Sequence, residues 1–311
     1  MRDKFGRDIH YLRLSVTERC QLFCEYCRDM QACEQQYELS LDEIELAVQA
    51  AAELGTDKVR LTGGEPLMRG DIVRIAQAVS AVDGITEVVM TTNGLKLCGM
   101  VEPLKNAGIS RFNISIDSLR ADRYREITRG GELSRVLDAI DEVWNSGVKL
   151  KLNVVLMRGT NDDEIDDFIA LTENNALSVR FIELMPIGKA GEYDKRRICS
   201  DEILALRPQL TAVKNDGVAV EYAISGYAGT VGFISPLSHR FCKQCNRFRI
   251  TSDGMLRTCL GNGREISLID ALHHGREELK SVMRAEILDK PEEHCFESGL
   301  CNGRTMNKIG G

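Results

Sequence analysis

The chain has 311 residues, of which 43% are hydrophobic and 28% are charged, and its formal net charge is −7. No apolar run approaches the roughly 18 residues of a membrane span, and an acidic total argues against a general nucleic-acid-binding protein, whose surface is usually basic. Eleven cysteines and an N-terminus without the apolar core of a signal peptide predict a cytoplasmic protein whose cysteines bind metal rather than form disulfides.

The first two thirds of the chain alternate between predicted strands and helices. Strands are predicted at 11–15, 58–62, 87–91, 111–116, 149–157 and 178–184. Helices are predicted at 41–54, 71–82 and 132–146, and two more are predicted, one that ends at residue 107 and one that begins after residue 161. Ser40 with Glu43, and Asn161 with Glu164, predict capping boxes. Six strand–helix units predict a parallel sheet covered by helices. Residues 1–190 are therefore predicted to form a partial (β/α)6 TIM-like barrel of the α/β class, with an open doubly wound sheet as the alternative.

The pattern changes after residue 190. Short strands are predicted at 218–224, 229–234, 248–251 and 255–259, followed by a helix around 278–287. Residues 191–311 are therefore predicted to form a smaller α+β region laid against the barrel.

Three cysteines follow the first predicted strand with C-x3-C-x2-C spacing, namely Cys20, Cys24 and Cys27. A structural zinc site normally has four protein ligands, whereas an iron–sulfur cluster on three cysteines leaves one iron open for an outside ligand. This spacing, with Tyr26 before the last cysteine, is typical of radical S-adenosylmethionine (SAM) enzymes, in which SAM chelates the open iron. A zinc knuckle or three unrelated thiols is the alternative.

A second trio of cysteines lies in the C-terminal third. Cys242 and Cys245 form a C-x2-C pair, and a hairpin closed by Asp253-Gly254 would fold Cys259 back towards them. The trio again leaves one ligand position open. A zinc ribbon completed by His239 or by another cysteine is the alternative.

Two arginines beside this trio indicate an anion site. Arg247 and Arg249 alternate on a predicted strand, so both face one side. Their planar guanidiniums match phosphate oxygens bidentately. A solvated surface is the alternative.

Over nearly its whole length the chain resembles the GTP 3′,8-cyclase family, the radical SAM enzymes also called molybdenum cofactor biosynthesis protein A. The matching motifs, besides the first cysteine loop, are Thr62-Gly63-Gly64-Glu65-Pro66-Leu67, Thr91-Thr92-Asn93-Gly94, Ser115-Ile116-Asp117-Ser118, Lys151-Leu152-Asn153, Arg180-Phe181-Ile182-Glu183-Leu184-Met185-Pro186, the block from Cys242 to Cys259, and Met306-Asn307-Lys308-Ile309-Gly310-Gly311. A lone C-x3-C-x2-C loop indicates only a radical SAM enzyme. The second trio and the terminal Gly-Gly make the match specific.

The resemblance implies two [4Fe-4S] clusters and SAM as cofactors. The cluster on Cys20, Cys24 and Cys27 would reduce SAM to a 5′-deoxyadenosyl radical. Removal of the 3′ hydrogen of GTP and attack on C8 would then give 3′,8-cyclo-7,8-dihydro-GTP, in the first step of molybdenum cofactor biosynthesis. The second cluster would bind the guanine ring. The implied partners are GTP, a low-potential electron donor and the next enzyme of the pathway, with no nucleic acid or membrane, and the implied state is monomer or homodimer.

The resemblance also assigns individual residues. The SAM contacts would be Tyr26, Gly64, Ser115 and Met185. The GTP contacts would be Arg13, Arg60, Thr91, Lys151, Arg247, Phe248 through its main chain, and Arg249. The second cluster would be held by Cys242, Cys245 and Cys259. Gly310 and Gly311 would enter the active site and support the radical step, whereas a terminus is otherwise expected to fray.

Some features depart from the family pattern. Arg28-Asp29-Met30 follows Cys27 where the family usually has Met-Pro. Cys33 lies near the first trio as a stray thiol. Cys295 and Cys301, with His294 beside them, lie near the tail and are either two ordinary thiols or part of a third metal site. A peptide-modifying radical SAM enzyme with an auxiliary cluster is the second candidate, although no peptide-binding module or longer cysteine array is seen. Two structural zinc sites on a binding scaffold form the third candidate.

Overall fold

The computed structural model of the chain describes residues 1–28, 37–187, 195–215, 218–296 and 304–311. Its strands are β1 (Tyr11–Ser15), β2 (Lys58–Thr62), β3 (Glu87–Thr92), β4 (Ile109–Ser115), β5 (Lys149–Leu156), β6 (Ser178–Glu183), β7 (Thr211–Asn215), β8 (Val220–Ala223), β9 (Thr230–Ile234), β10 (Arg247–Ile250), β11 (Met255–Arg257) and β12 (Ile266–Ser267). Its helices are α1 (Leu41–Glu53), α2 (Ile72–Ser80), α3 (Val101–Asn106), α4 (Ala121–Thr128), α5 (Leu133–Asn145), α6 (Ile165–Ala170), α7 (Ser200–Ala205), α8 (Ile269–His274), α9 (Arg276–Leu288) and α10 (Met306–Ile309). No helix in these ranges has the length and apolar character needed to cross a membrane.

All the described strands belong to one sheet, in the order β12-β11-β10-β1-β2-β3-β4-β5-β6-β9-β8-β7. Strands β10, β1 to β6 and β9 run parallel. Strands β11 and β8 pair antiparallel with the two ends of this parallel set, and β12 and β7 pair antiparallel with β11 and β8. Strands β1 to β6 are adjacent in chain order, whereas a doubly wound sheet reverses its order part-way. The predicted α/β fold with a partial TIM-like barrel is therefore confirmed, and the sheet is not closed.

The C-terminal region extends this sheet at both edges rather than forming a separate layer against it. Strand β9 lies parallel beside β6, with Phe233 opposite Phe181. The chain then crosses to the other edge, where β10 lies parallel beside β1 with Phe248 opposite Leu12. Buried apolar side chains on these strands continue the core of the barrel. The predicted domain boundary at residues 190 and 191 lies outside the described residues.

The two predicted capping boxes have different outcomes. Ser40 and Glu43 form a complete capping box at the start of α1, as predicted. The box at Asn161 is wrong, because the Asn161 amide donates to the carbonyls of Asp117 and Val155 at 2.8 and 2.9 Å. Glu164 is fully buried and accepts hydrogen bonds from the Ser118 hydroxyl and the Leu119 N–H. Both side chains therefore fix strand ends rather than cap a helix.

Several short elements are not predicted by the sequence. Helix α4 has few apolar residues, and only its Tyr124, Ile127 and Thr128 are buried. Strand β7 is exposed throughout and has no alternating apolar pattern. Helices α7, α8 and α10 span six residues or fewer, too few for a helical period to be recognised.

Candidate active site

The first cysteine trio lies in the loop that leaves β1. The Cys27 N–H donates to the Cys24 carbonyl at 3.0 Å, and the Leu22 N–H donates to Cys20 Sγ at 3.4 Å. Burial raises the pKa of Cys20 to about 11 and that of Cys27 to about 12. The charge of Glu65 adds to the increase at Cys20, and neighbouring thiolates add to the increase in pKa at Cys24 and Cys27. Because the thiolate is the form that binds metal, a cationic centre would supply the missing compensation. The loop therefore fits a metal cluster.

Gly64 lets the next motif lie directly on this loop. A Cβ at Gly64 would come within 2.4 Å of the Glu18 carbonyl oxygen and 2.6 Å of that of Arg19. The Gly64 N–H donates to the Thr17 carbonyl at 2.7 Å. Close approach of backbone to backbone is possible only without a side chain. Gly64 thus packs on the residues that lead into Cys20. This contact requires a glycine at position 64, in addition to the SAM contact predicted for it.

Gly64→Ala is expected to disrupt the first trio, because backbone atoms of Glu18 and Arg19 cannot move aside as a side chain would. We expect iron at the N-terminal site and SAM cleavage to fall at least tenfold. Iron analysis after anaerobic reconstitution, with 5′-deoxyadenosine measured by chromatography, tests this. Gly70→Ala is the matched control, since nothing lies within 4 Å of a Cβ there. Equal SAM cleavage by both variants would contradict the prediction.

A buried carboxylate that is not among the predicted site residues holds this region together. Glu65 is fully buried and accepts bonds from the Thr92 hydroxyl and the Asn93 N–H, both at 2.7 Å. Burial raises the pKa of Glu65 to about 7. The Asn93 amide donates to Cys20 Sγ at 3.7 Å. Glu65 thereby ties the ends of β2 and β3 to the first trio.

Two predicted SAM contacts are connected with the end of β4: Ser115 lies on it, and Tyr26 bonds to the segment that follows it. The Tyr26 hydroxyl donates to Asp117 at 2.6 Å, and Asp117 also accepts the Val155 N–H at 2.8 Å. Ser115 is the last residue of β4, two before Asp117. Burial raises the pKa of Asp117 to about 6. Asp117 therefore orients Tyr26. It belongs to the matching motif Ser115-Ile116-Asp117-Ser118 but is not among the predicted site residues.

The second trio is assembled by the predicted hairpin. Strands β10 and β11 pair antiparallel with Arg249 opposite Arg257, so Cys259 returns to the start of β10. Burial raises the pKa of Cys242 and Cys259. Burial alone would also raise the pKa of Cys245, but the cations of Arg247 and Lys290 lower it to about 6.

The spacing of the ligand atoms bears on the zinc alternatives. In the described part of the chain, one group of three metal-binding side chains has all its ligand atoms within 4.8 Å of one another, and it consists of Cys199, Asp201 and His239. Ligands about 2.3 Å from a single zinc ion would lie within roughly 4 Å of each other. Neither predicted trio is among the groups of this kind in the described residues. His239 lies 2.8 Å from Asp201 instead of completing the second trio.

Three predicted GTP contacts stand side by side on neighbouring strands. Arg13 of β1 is in register with Arg249 of β10 on one side and with Arg60 of β2 on the other. Burial and the adjacent guanidiniums hold the pKa of Arg13 well below its usual range. Burial, together with Arg247 and Arg257, lowers the pKa of Arg249 to about 9. Such a row of cations is stabilised by an anion with several charged oxygens.

Two further predicted GTP contacts lie on β3 and β5, and the first of them, Thr91, borders the row. The Thr91 hydroxyl accepts from Arg60 at 2.7 Å, and the Tyr11 hydroxyl, absent from the sequence analysis, accepts from Arg60 at 2.5 Å. Lys151 pairs with Glu221 at 3.2 Å. Burial, followed by the charge of Arg180, lowers the pKa of Lys151 to about 8.

The remaining residue of the β10 motif faces away from the cations. Phe248 is 1% exposed and packs in the core of the barrel. Its side chain therefore lies on the opposite face of β10 from Arg247 and Arg249, which leaves only its main chain for a ligand.

The C-terminal tail enters the barrel between the two trios. The Gly310 carbonyl accepts from Arg249 at 2.7 Å, and that of Gly311 accepts from Arg13 at 2.5 Å. Gly310 is buried, and Ile309 belongs to an apolar cluster against which Met185 packs. The tail is thus held by packing and by two arginines, and it does not fray.

The residues that depart from the family pattern are only partly described. Arg28 donates to the Cys20 carbonyl at 2.9 Å and stacks on Phe23, 4.4 Å from the ring centroid. Cys295 donates to the Gly261 carbonyl at 3.0 Å, and His294 bonds to the Pro236 carbonyl at 2.7 Å. Asp29, Met30, Cys33 and Cys301 lie outside the described residues.

Two family models match the chain. The model of the Radical SAM superfamily matches residues 14–172, and that of Molybdenum Cofactor Synthesis C matches residues 177–296. A GTP 3′,8-cyclase of Alkaliphilus oremlandii (strain OhILAs) is 46% identical over 320 residues, covering 100% of both chains. A GTP 3′,8-cyclase of Peptoclostridium acidaminophilum is 43% identical, covering 99% of this chain and 98% of the relative.

Among solved structures, Streptococcus suis SuiB bound to precursor peptide SuiA is similar with a TM-score of 0.59 and 15% identity, covering 98% of this chain and 75% of that one. SuiB bound to S-adenosylmethionine gives a TM-score of 0.58 at 16% identity. At such identities the likeness concerns the fold alone. The full-length relatives decide the family: the chain belongs to the GTP 3′,8-cyclases, radical SAM enzymes of molybdenum cofactor synthesis.

Proposed function

We propose that this chain converts GTP to 3′,8-cyclo-7,8-dihydro-GTP with two [4Fe-4S] clusters and SAM. The main support is the row of Arg249, Arg13 and Arg60. Its Arg249 end lies beside the second trio, and its central residue, Arg13, lies on β1, the strand that leads into the first trio. The row suits a triphosphate. The radical SAM superfamily implies the first cluster and SAM, whereas the second cluster rests on the donor set of Cys242, Cys245 and Cys259.

The residues around the first trio would bind and orient SAM. When bound, the first cluster supplies the electron that cleaves SAM to methionine and the 5′-deoxyadenosyl radical. Tyr26, fixed by Asp117, together with Ser115 and Gly64, would hold SAM against the loop, and Met185 would close the apolar side. These positions surround the C-terminal ends of β2, β4 and β6, where barrel enzymes place their active sites.

The cationic row and its neighbours would position GTP. Arg13, Arg60 and Lys151 would neutralise the triphosphate, and the Thr91 hydroxyl would keep Arg60 in place. Arg247 and the Phe248 main chain lie on the strand that follows Cys245, so they would hold the guanosine end near the second trio. Arg249 of the same strand would join Arg13 at the phosphates. Gly310 and Gly311, bonded to Arg249 and Arg13, would exclude water from the space between.

The biological context is part of the same proposal. We propose a cytoplasmic enzyme, monomeric or homodimeric, that takes electrons from a low-potential donor and delivers its product to the next enzyme of molybdenum cofactor synthesis. We also propose that residues 1–190 act as the SAM-binding barrel and residues 191–311 as the region of the second cluster.

Arg60→Met is expected to weaken GTP binding at least tenfold while SAM binding changes little. It removes a buried guanidinium whose charge-assisted hydrogen bonds each contribute roughly 1.5–3 kcal/mol, and a tenfold change corresponds to about 1.4 kcal/mol. Anaerobic equilibrium binding of GTP and, separately, of SAM tests this.

The matched control is Arg74→Met, which removes an exposed arginine from α2 on the outside of the barrel. Competition by GTP, GDP and guanosine identifies the recognised group, since a triphosphate site prefers them in that order. GTP binding by Arg60→Met equal to that of the control would remove the arginine row from the proposal.

A further inference from the structure

A buried lysine just beyond α9 has no assigned role. Lys290 is 1% exposed, although burying an ammonium is unfavourable unless its charge is compensated. Its Nζ donates to the Arg247 carbonyl at 2.8 Å and also to the Thr258 carbonyl. Both are backbone groups, which satisfy hydrogen bonding but carry no net charge.

The anions that could balance this charge belong to the second trio. Within the described ranges, every hydrogen-bond partner of Lys290 is a backbone carbonyl, and no carboxylate lies at ion-pair distance. Arg247 is two residues after Cys245, and Thr258 immediately precedes Cys259. Lys290 thus bridges the two segments that carry these cysteines, and its charge interacts with the thiolates of both.

A second buried cation fixes the segment that contains Lys290. Arg7 donates to the Cys242 carbonyl and the Glu292 carbonyl, both at 2.9 Å, and to the Pro291 carbonyl at 2.7 Å. Arg7 has its own counter-ion, Asp3, at 2.6 Å. The two cations therefore differ in the part of the chain that the structure describes: Arg7 is paired with a carboxylate, and Lys290 is not.

We propose that Lys290 is a positioning residue of the second cysteine trio whose buried ammonium is the fixed counter-charge of the cluster held there. This inference rests on the proposed function. An electron added to a cluster increases its negative charge, and a nearby cation in a region of low dielectric stabilises the reduced form. Lys290 then raises the reduction potential of the second cluster, but not that of the first.

The test uses the full chain with Lys290→Met, which keeps length and apolar stem, and Lys290→Arg, which keeps the charge. After anaerobic reconstitution, reduction is titrated electrochemically and followed by electron paramagnetic resonance. A background with Cys20, Cys24 and Cys27 replaced by serine isolates the second cluster. We expect Lys290→Met to lower its reduction equilibrium constant at least tenfold, a shift of about 59 mV for one electron, and Lys290→Arg to restore most of it.

Lys280→Met is the matched control, since Lys280 lies on α9 and pairs with Glu53 and Glu277 at the surface. Loss of the cluster from Lys290→Met but not from Lys290→Arg would also support a role of the Lys290 charge in holding the cluster. An unchanged potential in Lys290→Met, or equal loss of the cluster from both variants, would overturn the inference. A wild-type chain with about four irons would instead refute the second cluster of the proposed function.

Discussion

Replacing Cys259 with serine is expected to abolish conversion of GTP while SAM binding persists. Cys259 is brought to the second trio by the hairpin of β10 and β11, whereas SAM is predicted to bind at the first trio. Serine is a poor ligand for iron in place of a thiolate, so the iron content should fall from about eight to about four per chain. Iron analysis, equilibrium binding of SAM and mass spectrometry of the nucleotide products measure the three quantities.

Cys98→Ser provides the control, because Cys98 is an exposed thiol remote in sequence from both trios. It should keep full iron content and full conversion. Complete conversion of GTP by Cys259→Ser would remove the second cluster from the mechanism, even if the first remains intact.

Gly310→Ala is expected to reduce GTP conversion at least tenfold in a chain that remains folded. Gly310 has φ +80°, and a Cβ would come within 2.7 Å of the Thr62 hydroxyl and 2.9 Å of Ser15 Cβ. Both neighbours are buried at the ends of β1 and β2, so the tail must withdraw. Its carbonyl would then leave Arg249. Single-turnover formation of the cyclic product measures the effect.

Gly99→Ala separates the effect of the clash from that of the backbone conformation. Gly99 has φ +77°, and nothing lies within 4 Å of the position that a Cβ would occupy. The variant therefore carries the same conformational cost of about 1–2 kcal/mol without displacing the tail. Thermal unfolding should be similar in the two variants, and conversion should differ. Similar conversion by both would mean that entry of the tail is not required.

The sequence predicts best what depends on local order along the chain. The strand Lys58–Thr62 has the predicted bounds, and Ser40 with Glu43 forms the predicted cap, because hydrophobic alternation and capping involve residues close in sequence. The two cysteine trios are recognisable by spacing for the same reason. Asp253-Gly254 alone predicts the hairpin that brings Cys259 back towards Cys242 and Cys245.

Contacts between distant segments are what the sequence does not predict. Nothing local indicates that β10 pairs with β1, yet this pairing aligns Arg249 with Arg13. Asparagine is a common N-cap residue, but the Asn161 amide donates to the carbonyls of Asp117 and Val155, which lie on other segments. Lys290 has the sequence context of a surface lysine, and only the fold buries it.

Product analysis with both cofactors present distinguishes a GTP 3′,8-cyclase from every alternative above. The chain is reconstituted anaerobically with iron and sulfide, reduced, and given SAM with or without GTP, and the products are analysed by mass spectrometry. For the proposed reaction with two clusters we expect about eight irons per chain, with 5′-deoxyadenosine and an isomer of GTP formed together. 5′-Deoxyadenosine without consumption of GTP, or bound zinc with no cleavage of SAM, would contradict it.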